Sequence, residues 1–175
     1  MKTATAFLLA FAFAFSGLAA PPPHWVVTWG ASPAPQLPDQ AQMRAAKLEF
    51  NNQTLREIVH VSIGSDTVRV RLSNAFGKET VEIGAAHVAL GAKGATIAAG
   101  SDRALTFGGR PAVSIPHDAL VLSDPVKLDV PAAADLAISI FLPKAATGAG
   151  IHISALPGNV VSIDRTCCTN SKFEP

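Results

Sequence analysis

Apolar and polar residues alternate along most of the chain from Leu55 onward. Val59, Val61 and Ile63 are separated by His60 and Ser62. Thr67 to Ser73 repeats the pattern, with Val68, Val70 and Leu72 on one face and Arg69 and Arg71 on the other. A period of two marks a strand with one buried face. Gly64-Ser65-Asp66, between these runs, predicts a hairpin turn. The alternation returns at Leu136, Ile138, Ile140 and Leu142, and more briefly at Leu120 and Leu122, then at Val126, Leu128 and Val130. Val81 to Leu90 and Ile151 to Ser154 are further strand candidates. His24-Trp25-Val26-Val27-Thr28-Trp29, aromatic and β-branched, predicts a first strand. Gly, Pro, Asn and Asp fill the gaps, as in Gly108-Gly109-Arg110-Pro111 and Ser123-Asp124-Pro125.

Helical composition is confined to Asp39 to Lys47, where Asp39 could serve as a cap. The preceding Ser32-Pro33-Ala34-Pro35-Gln36-Leu37-Pro38 excludes regular structure, because three prolines remove donors and fix φ. About nine short strands with little helix predict an all-β fold, an antiparallel β-sandwich of jelly-roll type. Each strand is expected to keep one polar face in water. Long helical patterns between the strands are absent, so a parallel βαβ core is not supported.

The first residues read differently. Lys2 gives a positive start, Ala4 to Phe15 is almost wholly Ala, Leu and Phe, and Ser16-Gly17-Leu18-Ala19-Ala20 offers a small-residue cleavage site. This is the anatomy of a secretory signal peptide, assigned to residues 1–19 and too short for a membrane span. A Pro-rich linker (20–23), a β-sandwich domain (24–164) and an irregular tail (165–175) follow. The expected location is secreted or periplasmic, with no stable membrane span once the signal is removed.

Charge changes the picture only by exclusion. The chain has 14 Lys and Arg against 13 Asp and Glu, and loss of Lys2 brings the balance to zero. Nucleic-acid binding needs surplus basic residues, so no such partner is expected. Disorder needs low hydrophobicity and high net charge, and neither is present.

Candidate chemistry is sparse. No Gly-x-Ser-x-Gly elbow occurs. Ser65 and Ser101, each in Gly-Ser-Asp, read as turn residues. The histidines (His24, His60, His87, His117, His152) lack metal spacing, and none follows an Asp by three residues. His60 falls on a polar strand face, and His87 reads as a hydrogen-bonded structural residue. Arg69 and Arg71 could hold an anion, although a solvated face is the simpler reading. Asn52-Gln53-Thr54 matches a glycosylation acceptor, relevant in a eukaryotic secretory pathway. Cys167 and Cys168, adjacent near the C-terminus, make neither a disulfide scaffold nor a zinc site. Trp25 and Trp29 share a side-chain phase, which suits a sugar-stacking platform or, better, a buried core pair.

Several longer blocks carry a resemblance. Trp25 to Ser32, Asn52 to His60 (NNQTLREIVH within 51–60), Val68-Arg69-Val70-Arg71-Leu72-Ser73-Asn74-Ala75-Phe76-Gly77, Ile83 to Ala89, Ala104 to Gly109, Leu122 to Val126 and Asp135 to Ile140 together resemble the N-terminal region of secreted GDSL-type (SGNH) hydrolases. The resemblance covers about residues 24 to 160. It implies a β-rich domain preceding a separate α/β catalytic domain that cleaves carboxylic esters of lipids, sugars or small molecules. In that family the nucleophile lies in a Gly-Asp-Ser block, a later Gly and Asn donate to the oxyanion, and the base is the His of an Asp-x-x-His block. None of these blocks occurs in these 175 residues, so the resemblance assigns no catalytic, cofactor or metal residue here. The expectation is an accessory domain, inactive alone, packing against a GDSL-type catalytic domain that this chain lacks. The tail from Arg165 to Pro175 departs from the family pattern, as a frameshift, a fragment or a short natural terminus would. The alternative is a standalone secreted glycan- or protein-binding module. Last comes a small complete esterase in which Ser65 or Ser101 meets a histidine in space.

Overall fold

The computed structural model describes residues 24–31, 34–35, 49–147, 150–151 and 160–162. Every regular element among the described residues is a strand. In chain order the first are β1 (Ala34–Pro35), β2 (Glu49–Phe50), β3 (Gln53–His60), β4 (Ser65–Val68) and β5 (Arg71–Ser73). Next come β6 (Val81–Ile83), β7 (Ala85–Leu90), β8 (Arg103–Leu105), β9 (Val113–Ile115) and β10 (Leu120–Leu122). The last are β11 (Val126–Val130), β12 (Asp135–Leu142), β13 (Ala146–Thr147), β14 (Gly150–Ile151) and β15 (Val160–Ser162).

The long strands β3 and β12 run antiparallel from Gln53 opposite Leu142 to His60 opposite Asp135. They anchor a five-stranded sheet in the order β15-β3-β12-β7-β8. The antiparallel ladders β4–β11, β5–β10 and β6–β9 supply the opposing wall of the core. Val59, Val88, Leu136, Ile138 and Ile140 from the sheet meet Ile83, Ile115, Leu128 and Val130 from the shorter ladders in one buried cluster. Burying each such side chain stabilises the fold by about 1.5–3 kcal/mol before entropy is counted. The described residues are therefore all-β, an antiparallel sandwich as the alternation predicts. No helix of the described residues is long and apolar enough to cross a membrane.

Several local expectations are overturned. The main sheet is not wet on one face: on β12 Leu136, Ala137, Ile138, Ser139 and Ile140 are all buried. Its second face is covered in part by Ile97, which packs with Ala89, Ala137 and Ile58. Gly64-Ser65-Asp66 makes no hairpin, since β3 pairs with β12 and β15 while β4 pairs with β11. The chain instead crosses between layers at Gly64, pressed against the backbone of Val130 to Ala132. Thr67 to Ser73 divides into β4 and β5, whose partners differ. Between them the Ser123 hydroxyl accepts from the Val70 N–H at 2.9 Å.

Val81 to Leu90 likewise divides at Gly84, where the Phe141 ring lies too close for any Cβ. On β10 the two leucines point outward, Leu120 and Leu122 being exposed, and Val121 is the half-buried residue packed on the core. His24 to Trp29 forms no strand. Residues 1–23, the helical candidate at 39–47, residues 152–154, Cys167 and Cys168 lie outside the described residues.

Candidate functional site

The register of the main sheet assembles a polar row on its outer face. Arg56 on β3 stands opposite Ser139 on β12, Ser139 stands opposite His87 on β7, and His87 stands opposite Ala104 on β8. Side chains at i and i+2 share a face, so these positions project together. The Arg56 Nε–H donates to Ser139 Oγ at 2.8 Å, and its Nη1 donates to the Ala95 carbonyl at 2.9 Å. Arg56, Ser139 and Thr54 are all buried. Burial pulls the Arg56 pKa down from its ordinary value and the charge of Asp102 opposes that pull. A guanidinium keeps its proton regardless.

His87 Nδ1 lies 2.8 Å from Asp102 Oδ2, and both side chains are largely shielded. A carboxylate on Nδ1 fixes the imidazole with Nε2 outermost, the arrangement that orients a general base. Ser139, His87 and Asp102 thus match the residue types of a hydrolytic triad. Ser139 is nevertheless held by Arg56, and no hydrogen bond among the described residues joins it to His87. Arg56 ties β3 to β12 and to the segment around Ala95, and His87 ties β7 to the segment leading into β8.

The serines singled out by sequence serve backbone geometry. Ser65 Oγ donates to the Thr67 carbonyl and accepts from the Thr67 N–H. Ser101 Oγ donates to the Ala98 carbonyl at 2.6 Å and accepts from the Leu90 N–H at 3.1 Å. Neither is hydrogen-bonded to a histidine among the described residues. His60 pairs across the ladder with Asp135 at 2.8 Å in an exposed position, and His117 lies 3.3 Å from its exposed neighbour Asp118. His24 is exposed, and His152 lies outside the described residues. Asn52 occupies a left-handed turn with φ of 54°. Among the described residues, no three His, Cys, Asp or Glu side chains gather as metal ligands.

The tryptophans depart from the core pair expected of them. Trp25 is 44% exposed and Trp29 46%. Their segment enters no ladder among the described residues. It is fastened at Thr28, whose Oγ1 accepts from the Ile63 N–H at 2.9 Å and whose carbonyl accepts from Ser62 Oγ at 3.1 Å. The Arg69 guanidinium lies 5.4 Å from the Trp25 ring centroid, within cation–π range, and its Nε donates to the Ser123 carbonyl at 2.7 Å. Arg71 is exposed on β5.

Sequence reasoning missed Arg56, Ser139 and Asp102. Arg56 sits where alternation places a solvent-facing residue, and only the cover over the sheet's second face reveals it as interior. Compared with protein-family models and with curated proteins, the chain finds no match.

Proposed function

We propose that this chain is the N-terminal accessory β-sandwich domain of a secreted GDSL-type carboxylic-ester hydrolase. It works packed against a separate α/β catalytic domain that supplies nucleophile and base. One observation carries the reading: four of the blocks that resemble that family contain or overlap strands of the sandwich, whereas Trp25 to Ser32 forms no strand. Asn52 to His60 contains β3, Val68 to Gly77 contains β5, Ile83 to Ala89 runs into β7, and Asp135 to Ile140 is most of β12. The resemblance is spread over several blocks, including parts of β3, β5, β7 and β12, rather than one short motif. Leu120 and Leu122 on the outward face of β10 give such a partner an apolar surface to cover.

Sequencing the DNA beyond codon 175 tests the proposal. A Gly-Asp-Ser block, in frame or one frameshift away, is the expected result, and an unrelated neighbouring gene overturns it. The purified chain is expected to leave short p-nitrophenyl esters intact. Turnover abolished by Ser139→Ala, Ser65→Ala or Ser101→Ala would instead make the chain an esterase by itself.

A further inference from the structure

The turn that follows β8 and the β6–β9 ladder border an open cleft of about 770 Å³, lined by Glu82, Phe107, Arg110, Pro111, Val113 and Ser114 among others. Its size falls in the range of small-molecule sites. It shares no residue with the Arg56–Ser139 and His87–Asp102 pairs.

The two charged residues of the cleft stand on separate, built supports. The Phe107 N–H donates to the Arg110 carbonyl at 2.8 Å, and the Arg110 N–H donates back to the Phe107 carbonyl at 3.4 Å. Gly108 and Gly109 between them have φ of 61° and 77°, the left-handed values that a tight two-residue turn requires. Asp124 clamps that turn. Its carboxylate accepts from the Gly108 N–H at 3.1 Å, the Gly109 N–H at 2.7 Å and the Thr106 hydroxyl at 2.6 Å. Exposed Arg110 is thus carried on a fastened hairpin. Glu82 stands on β6 opposite Ser114 of β9, whose hydroxyl donates to its Oε2 at 2.7 Å.

Among the described residues no ion pair joins Arg110 to Glu82. One cleft therefore holds a cation and an anion that do not neutralise each other, with Pro111 and Val113 as apolar lining. A ligand of one sign is attracted by one of them and repelled by the other. A ligand carrying both signs satisfies both.

We propose that this cleft binds a zwitterion, an ammonium and a carboxylate joined by an apolar body, as in a free apolar amino acid or a short apolar peptide. Arg110 takes the carboxylate, Glu82 the ammonium, and Pro111 and Val113 the apolar part. This goes beyond the accessory-domain reading and stands without it.

The test follows the backbone amide signals of Gly108 and Gly109 in the isotope-labelled full chain during titration with leucine and with leucyl-leucine. Saturable shifts are expected, and the tighter of the two ligands names the source. Acetylating its amine or amidating its carboxylate is expected to weaken binding about fivefold in each case. Arg110→Gln should erase the amidation penalty alone, and Glu82→Gln the acetylation penalty alone. Neither side chain belongs to the buried core, and Gln at 82 keeps an acceptor for Ser114. Absence of saturable shifts overturns the proposal. Equal binding of free and blocked ligands overturns it too, as do penalties that survive the two exchanges. So do shifts of the same signals by soluble oligosaccharides where neither zwitterion produces them, which would assign the cleft to glycans.

Discussion

Arg56 and Ser139 face each other across β3 and β12, joined by a 2.8 Å hydrogen bond from the guanidinium Nε–H to the hydroxyl. Both residues are buried, so this bond and the one to Ala95 are made where water does not compete. The pair fastens the two longest strands on the face that alternation assigns to solvent.

Arg56→Met should therefore be costly. It removes the donor from Ser139 Oγ and from the Ala95 carbonyl together, and a loss of about 3 kcal/mol is expected. Arg56→Lys should restore less than half, because one ammonium cannot reproduce the guanidinium's two fixed donor directions. Urea denaturation of the three chains reads both values, and full recovery with Lys would contradict the geometry.

Thr54 lies on the same face of β3, fully buried, and its hydroxyl has no hydrogen-bond partner among the described residues. An unsatisfied buried hydroxyl carries its desolvation penalty without return. Thr54→Val keeps the shape and removes that penalty, so a gain of about 1 kcal/mol in unfolding free energy is expected. A loss of stability would show that the hydroxyl is satisfied in solution.

Glu57 projects from the opposite face of β3, across from buried Ile138. Burial pushes its carboxyl above its ordinary value of 4.5. Between the ordinary and the raised value, the folded chain holds a proton that the unfolded chain has released. The resulting stability is complete below the ordinary value and disappears as pH rises through the folded one. Stability measured from acid toward neutrality should decline across that window, and Glu57→Gln should flatten the decline while raising stability at neutral pH. Parallel pH profiles for the two chains would refute the assignment.

Gly64 permits the crossing between layers. A Cβ there would stand 2.7 Å from the Val130 carbonyl oxygen and 2.8 Å from the Ala132 nitrogen, both backbone atoms that cannot swing aside. Gly64→Ala should cost about 1–3 kcal/mol. Gly94, whose Cβ would meet nothing within 4 Å, gives the comparison for backbone strain alone, since its φ of 62° is left-handed.

The candidate site was only partly legible. His87 could be recognised as a hydrogen-bonded strand residue, but its partner Asp102 belongs to the segment leading into β8, and β7–β8 pairing brings them together. Trp25 and Trp29 look like core residues by type. Their exposure follows from a segment that joins no ladder and is held through Thr28.

The sequence alone determined the longer strands β3, β7, β11 and β12, because side chains on a strand alternate at every residue and the apolar positions record that period locally. It also determined which face of Val59, Leu136, Ile138 and Ile140 meets the core. Tertiary structure decided the rest: which strand lies beside which, that β12 is buried on both faces, that Arg56 is interior, and that the tryptophans stay outside. Those outcomes depend on pairing and cover contributed by residues far along the chain, and a local period carries no record of them.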